Sequence, residues 1–451
     1  MRIVMIGAGY VGLVSGTCFA DFGHDVVCVD ADPNRVAALE KGIIPIHEPG
    51  LGELVMQNVR AGRLSFALDC AESVKNADAV FIAVGTPSRR GDGPADLSYV
   101  YAAARPVAAA LTGYAVIVTK STVPVGTGDE VERIIRETRP DADFSVASNP
   151  EFLREGAAIH DFKHPDRIVI GANDERARKV LGEVYRPLYL NASPVFFTGR
   201  RSAELIKYAA NAFLATKITF INEVADLCER IGADVQDVAR GIGLDNRIGT
   251  KFLKPGPGFG GSCFPKDTLA LAKTAQDYDS PLKIVETVVA VNDVRKRAMA
   301  RKVSAALNGQ VRGRQIAVLG LTFKPDTDDM REAPSLAIIR ALQDMGAQVR
   351  VFDPVGMERA RELLADDVDY AASAYDCAAG ADVLLIITEW EEFRALDLRR
   401  LKSVMRQANL VDLRNIYRRD EVARAGFTYF SVGQGIASED EPASLPSAAN
   451  G

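Results

Sequence analysis

Short apolar segments alternate with helical patterns in two separate stretches of this 451-residue chain. In the first stretch they predict strands at residues 2–6, 25–30, 79–84, 115–119, 144–147 and 167–171. In the second they predict strands at residues 315–321, 348–353, 382–388 and 409–412. Strands that alternate with helices fold into mostly parallel, doubly wound sheets. The sequence therefore predicts an α/β protein with two such sheets.

A long helical segment separates the two stretches. Residues 202–231 contain no proline, and their apolar residues recur at helical spacing. A helix of about thirty residues is roughly 45 Å long, so we expect a connector or the spine of a dimer. The predicted organisation is two Rossmann-like doubly wound domains joined by a long central helix, at residues 1–200, 201–300 and 312–435. Residues 436–451 are poor in apolar side chains and predict a disordered tail.

Composition argues against two classes of partner. The net charge is −6, whereas nucleic-acid-binding domains are usually basic. No segment reaches the roughly 18 consecutive apolar residues that span a bilayer, and glycines interrupt the short apolar N-terminus. The six cysteines form no CxxC pair, which is typical of a reducing compartment. We therefore expect a cytoplasmic protein without a nucleic-acid partner, a membrane partner or a metal site.

The segment GAGYVG, residues 7–12, lies between a predicted strand and a predicted helix. In this context Gly7 permits a tight turn, Gly9 lets the backbone approach a pyrophosphate, and Gly12 allows close helix–strand packing. Asp30 ends the next strand and suits the adenosine ribose hydroxyls, which favours NAD over NADP. A glycine turn without a ligand is the alternative. The pattern predicts a dinucleotide site.

Further polar residues follow predicted strands, at the ends where ligands bind in such sheets. Thr86 and Thr122 are predicted cofactor contacts, although ordinary turn chemistry explains Thr86 equally well. Glu151 and Glu155 lie after the strand at residues 144–147. Glu151 is a candidate general acid or base and Glu155 a candidate cofactor contact. From spacing alone, helix-capping charges are an equally good interpretation of both.

The segment FGGSCFPKD, residues 259–267, contains the candidate nucleophile Cys263. Pro265 suits the first turn of a helix, so the thiol is predicted at a helix N-terminus, where thiolate is favoured. Lys266 adds positive charge, and Asp267 lies four residues on. A buried structural cysteine is the alternative.

Lys207 and Asn211 are four residues apart on the predicted long helix and project from one face. Next to a thiol they offer one cation and one neutral donor to an oxyanion. Spacing alone favours a solvated helix face for this pair. The oxyanion interpretation depends on the resemblance described next.

Eight segments in fixed order resemble the UDP-glucose 6-dehydrogenase family, within the UDP-glucose/GDP-mannose dehydrogenases. They are GAGYVG, PIHEPGL (residues 45–51), VGTP, KSTVPVGT, NPEFLREG, KYAANAFLATKITFINE, FLKPGPGFGGSCFPKD and LTFKPDTDDMREAPS. The resemblance runs from residue 1 to about residue 435. It implies an N-terminal NAD domain, a homodimer built by the long helix, and a C-terminal domain that grips UDP.

The resemblance also implies which residues contact the ligands. The implied NAD contacts are Val11, Asp30, Arg35, Thr86, Thr122, Glu155, Lys266 and Arg331. The implied substrate contacts are Glu151, Phe152, Leu153, Arg154, Glu155, Lys207, Asn211, Phe252, Leu253, Lys254, Pro255, Gly256, Gly260 and Lys324.

The implied reaction oxidises UDP-glucose to UDP-glucuronate with two NAD per sugar. Cys263 attacks an aldehyde to give a thiohemiacetal, which is oxidised to a thioester and hydrolysed. Lys207 and Asn211 stabilise the oxyanion, Asp267 and Thr122 place water or assist proton transfer, and Glu151 is a further acid or base. This scheme explains why an oxidoreductase needs a cysteine.

Several alternatives remain at this point. GDP-mannose and a UDP-N-acetylhexosamine would undergo the same chemistry, although the PKD after the cysteine fits the latter branch poorly. A non-catalytic nucleotide-sugar sensor would not need the cysteine and lysine that are present here. A two-electron hydroxy-acid dehydrogenase would release one NADH per substrate.

Overall fold

A computed structural model describes residues 1–87, 95–190, 193–364 and 368–434. These residues form two compact units. The first comprises Met1–Phe213, Cys263–Glu286 and Asp326–Asp328, and the second comprises Leu214–Ser262, Thr287–Pro325 and the chain from Asp329 onward. The predicted disordered tail, residues 436–451, lies outside the described residues, and the predicted domain boundaries stay a prediction.

The first unit contains one sheet. Its strands are β1 (Arg2–Ile6), β2 (Asp25–Val29), β3 (Leu64–Ala67), β4 (Ala79–Ile82), β5 (Ala115–Thr119), β6 (Phe144–Ser148), β7 (Ile168–Ala172) and β8 (Val195–Thr198). Their order is β3-β2-β1-β4-β5-β6-β7-β8, and all neighbours are parallel except β6 and β7. The order reverses between β1 and β4, which is where ligands bind in open α/β sheets.

The second unit contains another sheet. Its strands are β9 (Gln315–Leu319), β10 (Gln348–Phe352), β11 (Val368–Tyr370), β12 (Val383–Ile386), β13 (Asn409–Asp412) and β14 (Thr428–Ser431). Their order is β11-β10-β9-β12-β13-β14, and every neighbouring pair is parallel. This is the 3-2-1-4-5-6 order of a Rossmann fold. The predicted fold class is therefore confirmed.

Helices flank both sheets and build the middle of the chain. They are α1 (Tyr10–Asp21), α2 (Pro33–Glu40), α3 (Leu51–Arg60), α4 (Cys70–Val74), α5 (Ser98–Ala110), α6 (Thr127–Thr138), α7 (Ala158–Lys163), α8 (Glu175–Val184), α9 (Arg186–Leu190), α10 (Arg200–Ile231), α11 (Val235–Gly243), α12 (Phe264–Asp277), α13 (Lys283–Ala298), α14 (Ala300–Ala306), α15 (Pro334–Asp344), α16 (Met357–Leu363), α17 (Ala374–Ala378), α18 (Glu391–Arg394), α19 (Leu398–Val404) and α20 (Arg419–Arg424). Within the described ranges, none of them has the length and apolar character needed to cross a bilayer.

The central strands are buried on both faces, as β1 illustrates. Ile3 and Met5 belong to one apolar cluster and Val4 and Ile6 to another, because successive side chains of a strand point to opposite faces. A sheet covered by helices on both sides therefore needs an unbroken apolar segment at its centre. This is why these strands could be predicted from the sequence.

The long helix α10 has 32 residues, two more at its start than predicted. An apolar row runs along it at intervals of seven or eight residues: Leu205, Phe213, Phe220 and Leu227. Each of these side chains is between 44% and 66% exposed. Residues seven apart lie on the same side of a helix, so the row forms one exposed apolar face.

Candidate active site

The glycine turn between β1 and α1 has the geometry that the sequence predicts. Gly7 has a φ of +101°, and a Cβ on Gly12 would lie 1.8 Å from the Gly7 carbonyl oxygen. A Cβ on Gly9, in contrast, would meet no atom within 4 Å among the described residues beyond its chain neighbours. Gly7 and Gly12 are thus required by the fold, whereas Gly9 leaves open space at the N-terminus of α1. Space and unsatisfied N–H groups at a helix N-terminus suit a pyrophosphate.

Asp30 holds this turn to the end of β2. One of its oxygens accepts the Ala8 N–H at 2.8 Å and lies 3.1 Å from Arg35 Nη1, and the other accepts the Asp32 N–H at 3.0 Å. The carboxylate is therefore fixed beside the glycine turn. Val11 is half-buried in the first turn of α1.

Thr86 and Thr122 come together although they follow different strands. The Thr86 hydroxyl donates to the Thr122 carbonyl oxygen at 3.0 Å. Thr122 and Lys207 both line a small cleft in the first unit. The other lining residues are Thr119, Ser121, Val123, Ser148, Pro150 and Glu204.

Cys263 occupies the N-cap position of α12. The Asp267 N–H donates to the Cys263 carbonyl oxygen at 2.8 Å, which closes the first helical turn. Pro265 lies within that turn, where its missing N–H costs nothing. The predicted placement of the thiol at a helix N-terminus is confirmed.

Asp267 joins α12 to α10. Its side chain accepts from Asn211 Nδ2 at 2.6 Å and lies 2.9 Å from Lys266 Nζ. The carboxylate is almost fully buried. Asn211 and Lys207 share one face of α10, so Asp267 lies beside both residues of the predicted oxyanion pair.

Lys207 forms a buried ion pair with Glu151. The distance from Lys207 Nζ to Glu151 Oε1 is 3.0 Å, and Glu151 Oε2 accepts the Leu153 N–H at 2.6 Å. The Phe152 ring lies over the same ammonium, with its centroid 5.3 Å from Nζ. Residues 151–153 thus place a carboxylate and an aromatic ring against the Lys207 ammonium, and the Leu153 N–H fixes the orientation of that carboxylate.

Opposite charges keep both members of this pair ionised. Burial alone would lower the pKa of Lys207, but the charges of Glu151, Cys263 and Asp267 outweigh it and raise that pKa. Burial alone would raise the pKa of Glu151, but Lys207, the Leu153 N–H and Lys120 lower it. A permanent ammonium therefore lies close to the thiol.

The next two predicted residues have partners of their own. Arg154 donates to Asp161 with its Nη2 at 2.6 Å and its Nε at 2.9 Å. The Thr327 hydroxyl donates to Glu155 at 3.3 Å. The Arg154 side chain is thus engaged at the surface, whereas Glu155 is held by Thr327 of the same unit.

In the second unit, the backbone of the glycine- and proline-rich loop at residues 254–262 is held by buried polar side chains. Asn222 accepts the Gly256 N–H at 2.8 Å, and Arg295 Nε donates to the Gly256 carbonyl at 2.8 Å. Asn292 accepts the Phe259 N–H at 2.8 Å and donates to its carbonyl at 3.1 Å. The backbone of this loop is therefore held in place before any ligand binds.

Three more predicted contacts belong to this unit. A Cβ on Gly260 would lie 2.3 Å from the Glu332 carbonyl oxygen, so only glycine fits. The Gly261 N–H donates to the Arg331 carbonyl at 2.8 Å, and the Arg331 side chain pairs with Asp329. Lys324 Nζ lies 5.5 Å from the Phe323 ring centroid.

The remaining predicted substrate contacts of this unit precede the loop glycines. Phe252 has a φ of +65°, which is uncommon outside glycine. Leu253 and Pro255 are buried, whereas Lys254 is exposed. The Lys254 side chain is thus open to solvent while its neighbours are packed.

Comparison with known proteins gives the family. Residues 1–189 match the model for the NAD binding domain of the UDP-glucose/GDP-mannose dehydrogenase family, residues 201–294 match its central domain, and residues 317–419 match its UDP binding domain. The chain belongs to the UDP-glucose/GDP-mannose dehydrogenase family.

Individual relatives match over nearly the whole chain. A UDP-glucose 6-dehydrogenase of Rhizobium meliloti (strain 1021) is 70% identical over 96% of this chain and 100% of its own length. The UDP-glucose 6-dehydrogenase TuaD of Bacillus subtilis (strain 168) is 47% identical over 98% of this chain and 95% of its own. A solved UDP-glucose dehydrogenase from the hyperthermophilic archaeon Pyrobaculum islandicum is 43% identical, with a TM-score of 0.89 over 96% of this chain and 98% of that chain.

These matches confirm the predicted family and cofactor. The first domain of this family member is its NAD binding domain, as the glycine turn and Asp30 predict. The predicted site residues Lys207, Asn211, Cys263 and Asp267 fall within the central domain. Their individual roles stay predictions.

Two buried glutamates of this dehydrogenase were missed by the sequence reasoning. Glu204 lies one turn before Lys207 on α10, and it accepts the N–H groups of Gly126 and Gly128 at 2.7 and 2.8 Å. It thereby anchors the N-terminus of α6, beyond the Thr122 loop. Glu204 is three residues from Lys207 on the same helix, and this spacing was the sequence signal that could have identified it.

The second missed residue is Glu48, in the segment PIHEPGL. It accepts the N–H groups of Gly156 and Ala158 at 2.7 and 2.8 Å, and the Tyr10 hydroxyl donates to it. Tyr10 belongs to the glycine turn, so Glu48 joins the cofactor loop to the segment that follows Glu155. Its place in PIHEPGL, one of the segments that resemble the family, was the sequence signal that could have identified it.

Proposed function

We propose that this dehydrogenase oxidises the C6 alcohol of UDP-glucose to a carboxylate, using two NAD per sugar and releasing UDP-glucuronate. The observation that carries the proposal is the placement of Cys263 at a helix N-terminus beside the Lys207–Glu151 pair and Asp267. The relatives named UDP-glucose 6-dehydrogenase support UDP-glucose as the sugar nucleotide. A nucleophilic thiol in an oxidoreductase is explained by a covalently held aldehyde.

Bound NAD would supply the hydride acceptor for the two oxidations at C6, and the glycine turn with Asp30 would hold it. Between the two oxidations the Cys263 thiolate forms a bond to the aldehyde carbon, and the carbonyl electron pair moves to oxygen to give a thiohemiacetal. After the second oxidation the product on Cys263 is a thioester. Water adds to the thioester, the C–S bond breaks, the carboxylate leaves, the Cys263 thiolate is regenerated, and two protons pass to solvent.

Lys207 and Asn211 are the proposed donors to the oxyanion of these steps. Both are already oriented, Lys207 by Glu151 and Asn211 by Asp267, so little reorganisation is needed when charge develops. One well-placed donor of this kind is worth about 3–4 kcal/mol of barrier. Asp267 and Thr122 are proposed to place the hydrolytic water, and Glu151 is the proposed acid or base.

The proposed ligand contacts follow the same division of the chain. NAD contacts are proposed at Gly7, Gly9, Val11, Gly12, Asp30, Arg35, Thr86, Thr122, Glu155, Lys266 and Arg331. Contacts to the UDP-sugar are proposed at residues 151–155, Lys207, Asn211, residues 252–256, Gly260 and Lys324. The open space at Gly9 supports the NAD contacts. The backbone at Gly256, which buried side chains already hold in place, supports the UDP-sugar contacts.

We also propose a homodimer that works in the cytoplasm. The exposed apolar row of α10, from Leu205 to Leu227, is the kind of surface that a second copy of the helix buries. The six cysteines are all free thiols, as proteins of reducing compartments usually are.

A substrate panel tests this function. Purified protein is mixed with excess NAD and, in separate reactions, UDP-glucose, GDP-mannose or UDP-N-acetylglucosamine, and NADH is followed by absorbance. We expect the largest kcat/KM with UDP-glucose and almost no acid from Cys263→Ser. Faster turnover of GDP-mannose would keep the chemistry and replace the sugar nucleotide, whereas wild-type turnover by Cys263→Ser would overturn the covalent scheme.

A further inference from the structure

Lys120 is a buried cation that the proposed mechanism does not use. It follows β5 directly, and Asn149 follows the neighbouring strand β6. The two strands are parallel with Thr119 opposite Ser148, so Lys120 and Asn149 emerge side by side. Only 4% of Lys120 is exposed.

The Lys120 amine is held by neutral groups. Its Nζ donates to Asn149 Oδ1 at 3.0 Å and to the Tyr185 hydroxyl at 3.1 Å. The rings of Tyr185 and Phe162 lie over it, with centroids 5.8 and 5.9 Å from Nζ. A buried ammonium whose hydrogen-bond acceptors are neutral is costly, and an apolar side chain of similar length would be cheaper.

Asn149 connects this amine to the candidate active site. Its Oδ1 accepts from Lys120 and from the Tyr185 hydroxyl, and its Nδ2 donates to the Val169 carbonyl at 2.8 Å. Both ends of the side-chain amide therefore help to fix the residue. Pro150 and Glu151 follow directly in the chain, so the position of Asn149 sets where Glu151 begins.

Charge also connects Lys120 to the same residues. Burial lowers the pKa of Lys120 to about 8, the charge of Glu151 raises it, and the charge of Lys207 lowers it. Conversely, the Lys120 charge helps to lower the pKa of Glu151. The titratable groups that face Lys120 are thus Glu151, Lys207 and the Tyr185 hydroxyl, whose own pKa burial raises.

We propose that Lys120 is a positioning residue for Glu151, which it fixes through Asn149 and supplies with a second positive charge besides Lys207. The inference rests on the proposed function, because it takes Glu151 as a group that acts in the reaction. It predicts that the reaction slows when Lys120 loses its proton or its amine, although Lys120 does not touch the substrate.

The first test compares Lys120→Met, which removes the amine at similar length, with Lys120→Arg, which keeps a charge at all accessible pH values. We expect kcat of Lys120→Met to fall by about tenfold or more, with a KM for UDP-glucose near the wild-type value. Lys163→Met is the matched control, because Lys163 pairs with Asp21 in the same unit and is outside the proposed site. This control should keep wild-type kcat.

The pH profile separates positioning from mere packing. Wild-type kcat should decline as the pH rises through about 8, the pKa of Lys120. That decline should be absent from Lys120→Arg, which stays active, and from Lys120→Met, which stays slow. Tyr185→Phe removes one acceptor of the ammonium and should move the decline to lower pH, which provides a test even if Lys120→Met does not fold.

A double-mutant cycle gives the deciding result. If Lys120 acts through Glu151, then Lys120→Met/Glu151→Gln should be within about twofold of Glu151→Gln alone. The inference would be overturned if the double variant lost kcat by the product of the two single-variant losses. It would also be overturned if the pH profiles of Lys120→Arg and Tyr185→Phe matched that of the wild type. Each kcat is divided by the wild-type kcat on the nucleotide sugar that the wild-type protein oxidises. If UDP-glucose is not the substrate, the wild-type protein alone will show it.

Discussion

Lys207 Nζ lies 3.0 Å from Glu151 Oε1, and only 4% and 7% of the two side chains are exposed. Each charge is tolerated in the interior because the other is present. Removing one member leaves the other buried without a partner, which typically costs more than the intact pair contributes. The pair therefore makes a prediction about stability that is independent of catalysis.

Lys207→Met should lower the free energy of unfolding by about 3–5 kcal/mol, because it leaves the Glu151 charge buried without its ion-pair partner. Urea denaturation followed by circular dichroism measures this loss. The double variant Lys207→Met/Glu151→Gln should lose less than the sum of the two single variants. The control is the exposed pair Arg176–Asp143, whose removal should cost less than about 1 kcal/mol. The prediction would be refuted if the stability losses of Lys207→Met and Glu151→Gln simply added in the double variant.

The same pair predicts how stability depends on pH. The pKa of Glu151 in the folded protein lies below the usual 4.5 of a glutamate. Its contribution is therefore fully present above pH 4.5 and is lost as the pH falls through the folded-state pKa. The stability difference between wild type and Glu151→Gln should shrink as the pH is lowered from 5, and a constant difference down to pH 3 would contradict this. Lys207, with a raised pKa, should add no pH dependence below pH 10.5.

The two outer glycines of the cofactor turn should respond differently from the middle one. Gly9→Ala should fold normally, because its Cβ meets no atom within 4 Å in the described part of the chain beyond its own neighbours. It should nevertheless weaken NAD binding on the order of tenfold or more by filling the pyrophosphate space. Gly12→Ala should lower stability by roughly 1–3 kcal/mol, since its Cβ falls 1.8 Å from the Gly7 carbonyl. Calorimetric titration with NAD and melting temperatures separate the two effects; equal NAD affinity of Gly9→Ala and wild type would be the contrary result.

The exposed row on α10 predicts the association state. Phe220→Glu should convert the proposed dimer to a monomer, because a charge replaces an apolar side chain that is 53% exposed in one chain and needs a partner to be buried. Light scattering coupled to size-exclusion chromatography measures the mass. Tyr99→Glu on α5, at 57% exposure, is the control and should leave the mass unchanged. A wild-type protein that is already monomeric would show that the row serves another purpose.

The central strands could be predicted from the sequence, whereas the edge strands could not. β4, β5 and β12 are buried on both faces and read as unbroken apolar segments. β3, β8, β11 and β14 lie at the four edges of the two sheets and have only three or four residues each, many of them exposed. Short, half-exposed segments carry no continuous apolar signal, so they were missed.

Within the candidate site, local signals were sufficient for some residues only. Cys263 could be placed at a helix N-terminus because glycines and a proline surround it in the sequence. Lys120, Glu204 and Glu48 gain their significance from partners that lie 29, 76 and 108 residues away in the chain. Such contacts depend on how the strands are ordered, and spacing along the chain does not reveal them.

The proposed function depends most on a four-electron oxidation that passes through Cys263. The most direct measurement is the amount of NADH formed per UDP-glucose at completion, with NAD in excess and the product analysed by mass spectrometry. The proposed function predicts two NADH per sugar and UDP-glucuronate as the product. One NADH per sugar, with an aldehyde or ketone released, would contradict it and leave Cys263 without its proposed role.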